Sequence, residues 1–141
     1  MNLRTILSRK GRDVFTISSK ATIAQAVESM VEHNCGSLVI CDDGALAGII
    51  SERDILRAIA GGQRPLSAVL VEERMTRRVI TGDPADDLNK IMGIMTEHRI
   101  RHLPVLESGR VIGLISIGDI VKAQHEELAV ENHFLMSYIQ S

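Results

Sequence analysis

Aromatic side chains are nearly missing from this chain: its 141 residues include no Trp, one Tyr and two Phe. That scarcity removes the stacking platforms on which many single-strand and RNA binders rely. A formal net charge of −2 also removes any general pull toward a polyanion, so nucleic acid is not an expected partner. No apolar run approaches the roughly 20 residues of a membrane span, and the opening "MNLRTILSRKGR" has no stretch suited to a signal peptide. A cytoplasmic protein without membrane contact is expected. The two cysteines, Cys35 and Cys41, have neither a second pair nor histidines at metal-ligand spacing, and read as reduced structural thiols with no metal. There is no Ser-His-Asp arrangement, phosphate-cradling Gly-rich loop or HExxH spacing, and His125 and His133 stand too far apart for an i, i+4 metal pair. No enzyme is expected.

What the chain does have is a repeat. "GIISERDIL", from Gly48, returns sixty-five positions later as "GLISIGDIV". At the same offset and without a gap, Thr16 aligns with Thr81, Met30 with Met95, His33 with His98, Leu38 with Leu103, Gly44 with Gly109, Ser51 with Ser116 and Asp54 with Asp119. A core needs apolar residues at fixed places, but it has no need of an Asp three positions after a Ser. The repeated polar pair points to a task performed twice.

Each copy reads as the same order of elements. A short extended segment, "VFTIS" or "VITGD", precedes an amphipathic helix whose apolar residues (Ile23, Ala26, Val27, Met30 and Val31; Leu88, Ile91, Met92 and Met95) keep to one face. Thr22 with Gln25 forms a capping-box pattern, and Asp87 caps the second copy. Two β-branched runs separated by Asp-Asp-Gly or Glu-Ser-Gly-Arg predict a hairpin, and a second helix closes the unit. Such a β-α-β-β-α half leaves an apolar sheet face that only the other copy can bury. The expected fold class is therefore α+β, with a break near Gly61, Gly62 and Pro65: residues 1–62 form the first repeat with an N-terminal segment, 63–125 the second repeat, and 126–141 a helical extension.

The tandem, and "HRIRHLPVLESGRVIGLISIGDIV" above all, resembles a pair of cystathionine beta-synthase (CBS) domains, a Bateman module. The resemblance implies two repeats packed through their sheets with pseudo-twofold symmetry. It also implies two clefts that hold an adenosyl ligand: AMP first, or ADP, ATP, S-adenosylmethionine or NAD(H). On this reading the chain is a stand-alone nucleotide sensor that modulates an unknown protein; an NAD(H) sensor, or a purely structural dimerisation module with empty clefts, remains the alternative.

Within that resemblance, Asp54 and Asp119 at helix starts accept from both ribose hydroxyls, with Ser51 and Ser116 one turn earlier holding the sugar; the competing explanation is helix capping. Arg101 and His102 start the second strand of their copy, where Gly36 and Ser37 stand in the first, and the family pattern assigns that position to phosphate; a solvated basic patch is the alternative. Arg53, beside Asp54, can neutralise a phosphate as Gly118 cannot. Thr16 with Ser18, and Thr81 with Asp83, fall along the adenine and sugar, unless Ser18 and Asp83 merely serve turns. Modules of this type pair through helices, so the tail stripe Val121, Leu128, Leu135, Tyr138 and Ile139, together with "NLRTIL", is expected at a homodimer contact.

Overall fold

The computed structural model describes residues 1–11 and 14–140. Helix α1 (Leu3–Lys10) leads into strand β1 (Thr16–Ile17), helix α2 (Ile23–His33), the hairpin β2 (Ser37–Asp42) and β3 (Ala45–Ser51), and helix α3 (Glu52–Ala60). Two short 3₁₀ turns, Leu66–Ala68 and Val71–Glu73, connect to α4 (Leu88–His98), the hairpin β4 (His102–Glu107) and β5 (Arg110–Ser116), and the long α5 (Ile117–Gln140). The α+β expectation holds, and so do the local signals behind it. The Thr22 hydroxyl accepts from the Gln25 N–H while Gln25 Oε1 accepts from the Thr22 N–H, and Asp87 accepts from the Asn89 N–H. Each hairpin turns on two residues with positive φ, Asp43 and Gly44 or Ser108 and Gly109, the conformation of a turn whose twist matches the strands it joins.

Corresponding residues build two cores. Ile23, Met30, Leu38, Ile50 and Ile55 form one; Leu88, Met95, Leu103, Ile115 and Ile120 form the other. The segments that complete them are exchanged. Helix α1 puts Leu3, Ile6 and Leu7 into the second repeat's core, while Val69 and Val71 of the linker enter the first. Backbone bonds fix the crossing: the Leu3 N–H donates to the Asp86 carbonyl at 3.1 Å, and the Val71 N–H donates to the Ala21 carbonyl at 2.7 Å. The face of "NLRTIL" expected at a dimer contact is thus consumed inside the subunit, because its i, i+3, i+4 pattern meets an incomplete core first.

A second correction concerns "VITGD". Strand β1 runs parallel to β2 through Thr16 and Val39 and through Ile17 and Ile40, but the second copy keeps only a bridge between Gly82 and Val105. In the first copy the Val39 N–H donates to the Phe15 carbonyl. The equivalent donor position is Pro104, which has no N–H, so the ladder loses a rung.

On β2, Leu38 and Ile40 belong to the helix-covered core, yet Val39, which points the other way, is fully buried too. The two hairpins meet through β3 and β5. Across this packing Glu52, at the start of α3, comes near enough to His102 of β4 to act on its ring.

Candidate functional site

Ser37 pairs with Ser51 across β2 and β3, and His102 pairs with Ser116 across β4 and β5. Directly opposed residues share a sheet face with Cβ atoms about 4.5–5.5 Å apart, so each strand start stands beside the helix start that carries the repeated Asp. Capping accounts for part of the motif. Asp54 Oδ2 accepts from the Ser51 N–H at 2.9 Å and from the Ser51 hydroxyl at 3.2 Å. Asp119 Oδ2 accepts from the Ser116 N–H at 2.8 Å, and the Asp119 N–H donates to Ser116 Oγ at 3.0 Å.

Capping does not account for the surroundings, which differ between the copies. Asp54 is 7% exposed. Its further neighbour is the Thr76 hydroxyl, 3.4 Å from both carboxylate oxygens, and among the described residues no cation pairs with it. Ser37 is 3% exposed, and among the described residues its Oγ is the buried side-chain polar atom that has no hydrogen-bond partner. A buried polar group left unsatisfied costs about 1–3 kcal/mol, and native proteins seldom carry one without a reason. Together Ser37, Ser51, Asp54 and Thr76 give this end of the first repeat a nearly buried carboxylate and an unused hydroxyl.

In the second repeat the carboxylate is occupied. Lys10, at the end of α1, places Nζ 2.6 Å from Asp119 Oδ2 and 2.8 Å from the Leu114 carbonyl. Burial works against the ionised Asp119, but the bonds from Lys10 and Ser116 outweigh it and hold the carboxyl below the usual range. His102 takes the place of Ser37. Burial, followed by the Lys10 charge, pushes its imidazole below the ordinary histidine range, against the pull of Asp119 and of Glu52. Glu52 begins α3, so groups of both repeats act on this one ring.

The other residues singled out in the sequence are less closely gathered. Arg53 and Arg101 are exposed and make no ion pair among the described residues. Thr16 lines an open cavity of about 530 Å³ with Cys41, Asp43 and Arg110, around the hairpin tips rather than the Ser-x-x-Asp ends. Turn bonds engage two more: Ser18 Oγ accepts from the Lys20 N–H at 3.1 Å, and Asp83 Oδ1 accepts from the Ala85 N–H at 2.9 Å. Thr81 is half-buried. Lys10, Glu52 and Thr76 are the neighbours that sequence reading missed. Lys10 looks like a solvated cation at a helix end, and Thr76 lies in the linker outside the repeat register. Among the described residues, no three His, Cys, Asp or Glu side chains are placed to hold a metal ion, and no helix is long and apolar enough to cross a membrane.

The model of the CBS domain matches residues 5–61 and 71–126, two copies that together span most of the chain. The chain belongs to the CBS domain family. A mitochondrial CBS domain-containing protein of Arabidopsis thaliana is 43% identical over 124 residues, which are 84% of this chain and 60% of that relative, so the match leaves a large part of the relative's length outside it. The CBS-domain protein of known structure from Agrobacterium tumefaciens is 39% identical and superposes with a TM-score of 0.84 over 88% of this chain and 99% of its own. A CBS domain pair solved with 5′-methylthioadenosine and S-adenosyl-L-methionine, from the protein MJ0100, is 29% identical with a TM-score of 0.80, over 90% and 98% of the two chains. A CBS domain protein from Pyrobaculum aerophilum, solved with AMP, is 25% identical with a TM-score of 0.76, over 84% and 89%. The CBS pair architecture anticipated from the repeat is thus the architecture these chains share.

Proposed function

We propose that this CBS pair is a non-catalytic regulatory module that binds AMP or a related adenosyl ligand between its repeats and thereby alters its contacts with another protein. The observation that carries the reading is the Ser-x-x-Asp end of the first repeat: among the described residues, a nearly buried Asp54 has no cation and the Ser37 hydroxyl has no partner. Among those residues Asp54 has only neutral, partly long-range donors around it, with Thr76 at 3.4 Å, so two ribose hydroxyls can replace or add to them. A charge-assisted bond of this kind contributes about 1.5–3 kcal/mol. The adenosyl ligands held by two of the similar structures support that ligand class. Ser51 and Ser116 hold the sugar, and Arg53 and Arg101 supply the charge a phosphate requires, with His102 beside Arg101 as a neutral hydrogen-bonding group. The family resemblance leaves Thr16, Ser18, Thr81 and Asp83 to the base, two of them already engaged in turns. ADP, ATP, S-adenosylmethionine and NAD(H) share the adenosine that this set recognises.

The module works as a homodimer in this reading, joined through α5, whose Leu128, Leu135, Tyr138 and Ile139 are more than half exposed. The free thiols Cys35 and Cys41 suit a reducing compartment such as the cytoplasm.

The test is thermal. A ligand at a hundredfold excess over its dissociation constant stabilises the native state by about 2.7 kcal/mol, and AMP should raise the melting temperature accordingly. Asp54 and Asp119 follow the Ser51 and Ser116 caps by three residues, where an Asn Oδ1 can still accept from the Ser N–H, but Asp119→Asn gives up the Lys10 pair. The double variant Asp54→Asn, Asp119→Asn should therefore melt somewhat below the parent without ligand and lose the rise with it. An undiminished rise in the variant defeats the ribose assignment. No rise or heat with AMP, ATP, NADH or S-adenosylmethionine in the parent makes the protein a dimerisation module with empty clefts.

A further inference from the structure

The two clefts treat their carboxylates differently, and the difference lies in Lys10. In the first cleft, Asp54 meets, among the described residues, only the neutral donors of Ser51 and Thr76. In the second, Asp119 meets the ammonium of Lys10, which comes from a helix otherwise bound into that repeat's core. Burial of Leu3, Ile6 and Leu7 sets α1 in the second core, and the ion pairs of Arg9 with Glu126 and of the Met1 amino group with Glu127 tie it to α5. The base of the Lys10 side chain is thus fixed, while its flexible four-carbon stem allows Nζ to exchange Asp119 and the Leu114 carbonyl for another acceptor. Linker and α1 run in parallel roles, three positions out of step with the repeat, which makes Arg78 the counterpart of Lys10; Arg78 is exposed and makes no bond to Asp54.

We infer that Lys10 makes the second cleft selective for nucleotides over nucleosides: it rests on Asp119 while the cleft is empty and passes to the ligand's phosphate, which frees the carboxylate for the ribose hydroxyls. This rests on the adenosyl-ligand reading above and names the ligand class of one of its two clefts. A nucleoside presents hydroxyls to a carboxylate already paired and offers Lys10 nothing in exchange. A phosphorylated ligand does offer something, since ammonium and phosphate make a strong charge-assisted pair. Without an intervening cation, the same phosphate would be repelled by Asp119. The small cavity of about 90 Å³ between α1 and α5 already collects Arg9, Lys10 and Lys122 around Asp119 and Glu126, leaving cations in excess on its lining.

The experiment uses the full chain carrying Asp54→Asn, which silences the first cleft, and compares Lys10 with Lys10→Met, a substitution that keeps the apolar stem. Calorimetric titration with AMP and with adenosine should show AMP weakened by about tenfold, the worth of one charge-assisted bond, while adenosine tightens several-fold because Asp119 is released. Lys10→Arg should keep the AMP preference, which separates the role of the charge from any damage to α1. Equal changes for both ligands, or no change for either, overturn the inference, since Lys10 would then be a plug, a fold support or a bystander. If the unsubstituted protein binds AMP but the Asp54→Asn chain binds neither ligand, only the first cleft is in use and the inference fails while the adenosyl-ligand reading stands. If the unsubstituted protein binds nothing, that reading fails and takes the inference with it.

Discussion

Leu7 fills the space that a side chain on Gly113 would need: a Cβ built on that glycine would collide with both methyl groups of Leu7. The relationship occurs twice. Gly48, the counterpart in the first repeat, lies against the Thr76 carbonyl and the sulfur of Met75, 2.7 and 2.9 Å from where its Cβ would stand. The repeated glycine of "GIIS" and "GLIS" is therefore a docking place for a segment that arrives from outside the repeat.

Gly113→Ala should destabilise the protein by about 1–3 kcal/mol through overpacking, and Leu7→Ala by about 2–5 kcal/mol through the cavity it leaves. Combined, the two should cost clearly less than their sum, because the added methyl enters the vacated space. Urea unfolding of the four proteins measures the coupling. Additive losses would show that Leu7 does not sit on Gly113 in solution.

Ser37→Ala removes an unpartnered buried hydroxyl, so it should stabilise the ligand-free protein by about 1 kcal/mol. The same change should reduce the rise in melting temperature with AMP. A variant less stable than the parent without ligand would show that Ser37 Oγ is satisfied after all, by water or by a moved neighbour.

The depressed His102 gives a pH signature. A histidine whose value is lowered on folding binds fewer protons in the folded than in the unfolded chain, between its folded value and the unperturbed ~6.5, and stability falls as the pH drops through that window. The facing charges, Lys10 from α1, Asp119 from α5, Glu52 from α3 and the adjacent Arg101, all remain in His102→Gln. The variant should therefore lose less stability than the parent between pH 7.5 and 5, as followed by urea unfolding. Parallel curves would place His102 in water rather than in the cleft.

Truncation after Glu127 keeps the ion pairs of α5 with Arg9 and the Met1 amino group but removes the exposed apolar residues from Leu128 onward. Sedimentation should show a shift from dimer toward monomer. A dimer of unchanged strength would assign the contact to other helices.

The repeat itself was legible in the sequence because Gly, Ser, Asp and the core positions recur without a gap, so one offset placed both hairpins and all four of their flanking helices. The exchange of α1 and the linker was not. Leu3, Ile6 and Leu7 announce an apolar helix face but not the repeat it will cover, and the register linking Leu3 to Val71 and Leu7 to Met75 is three positions away from the one that aligns everything else. The Ser-x-x-Asp ends were legible as polar positions, whereas their inequality was not. It arises from Lys10 and Thr76, which become neighbours of the two carboxylates only after the exchanged segments have docked.

That exchange also sets a schedule for synthesis. The first repeat can close as soon as the linker through Met75 has emerged, but Leu7 must wait for Gly113, with almost the whole chain between them. At about 5–20 residues per second, Leu3, Ile6 and Leu7 stay uncovered for roughly 5–20 s behind a ribosome that has already released a nearly finished neighbour. During that interval the nascent chain offers a short apolar helix to whatever chaperone is at hand, and a second nascent copy on the same messenger would present the hairpin it is waiting for.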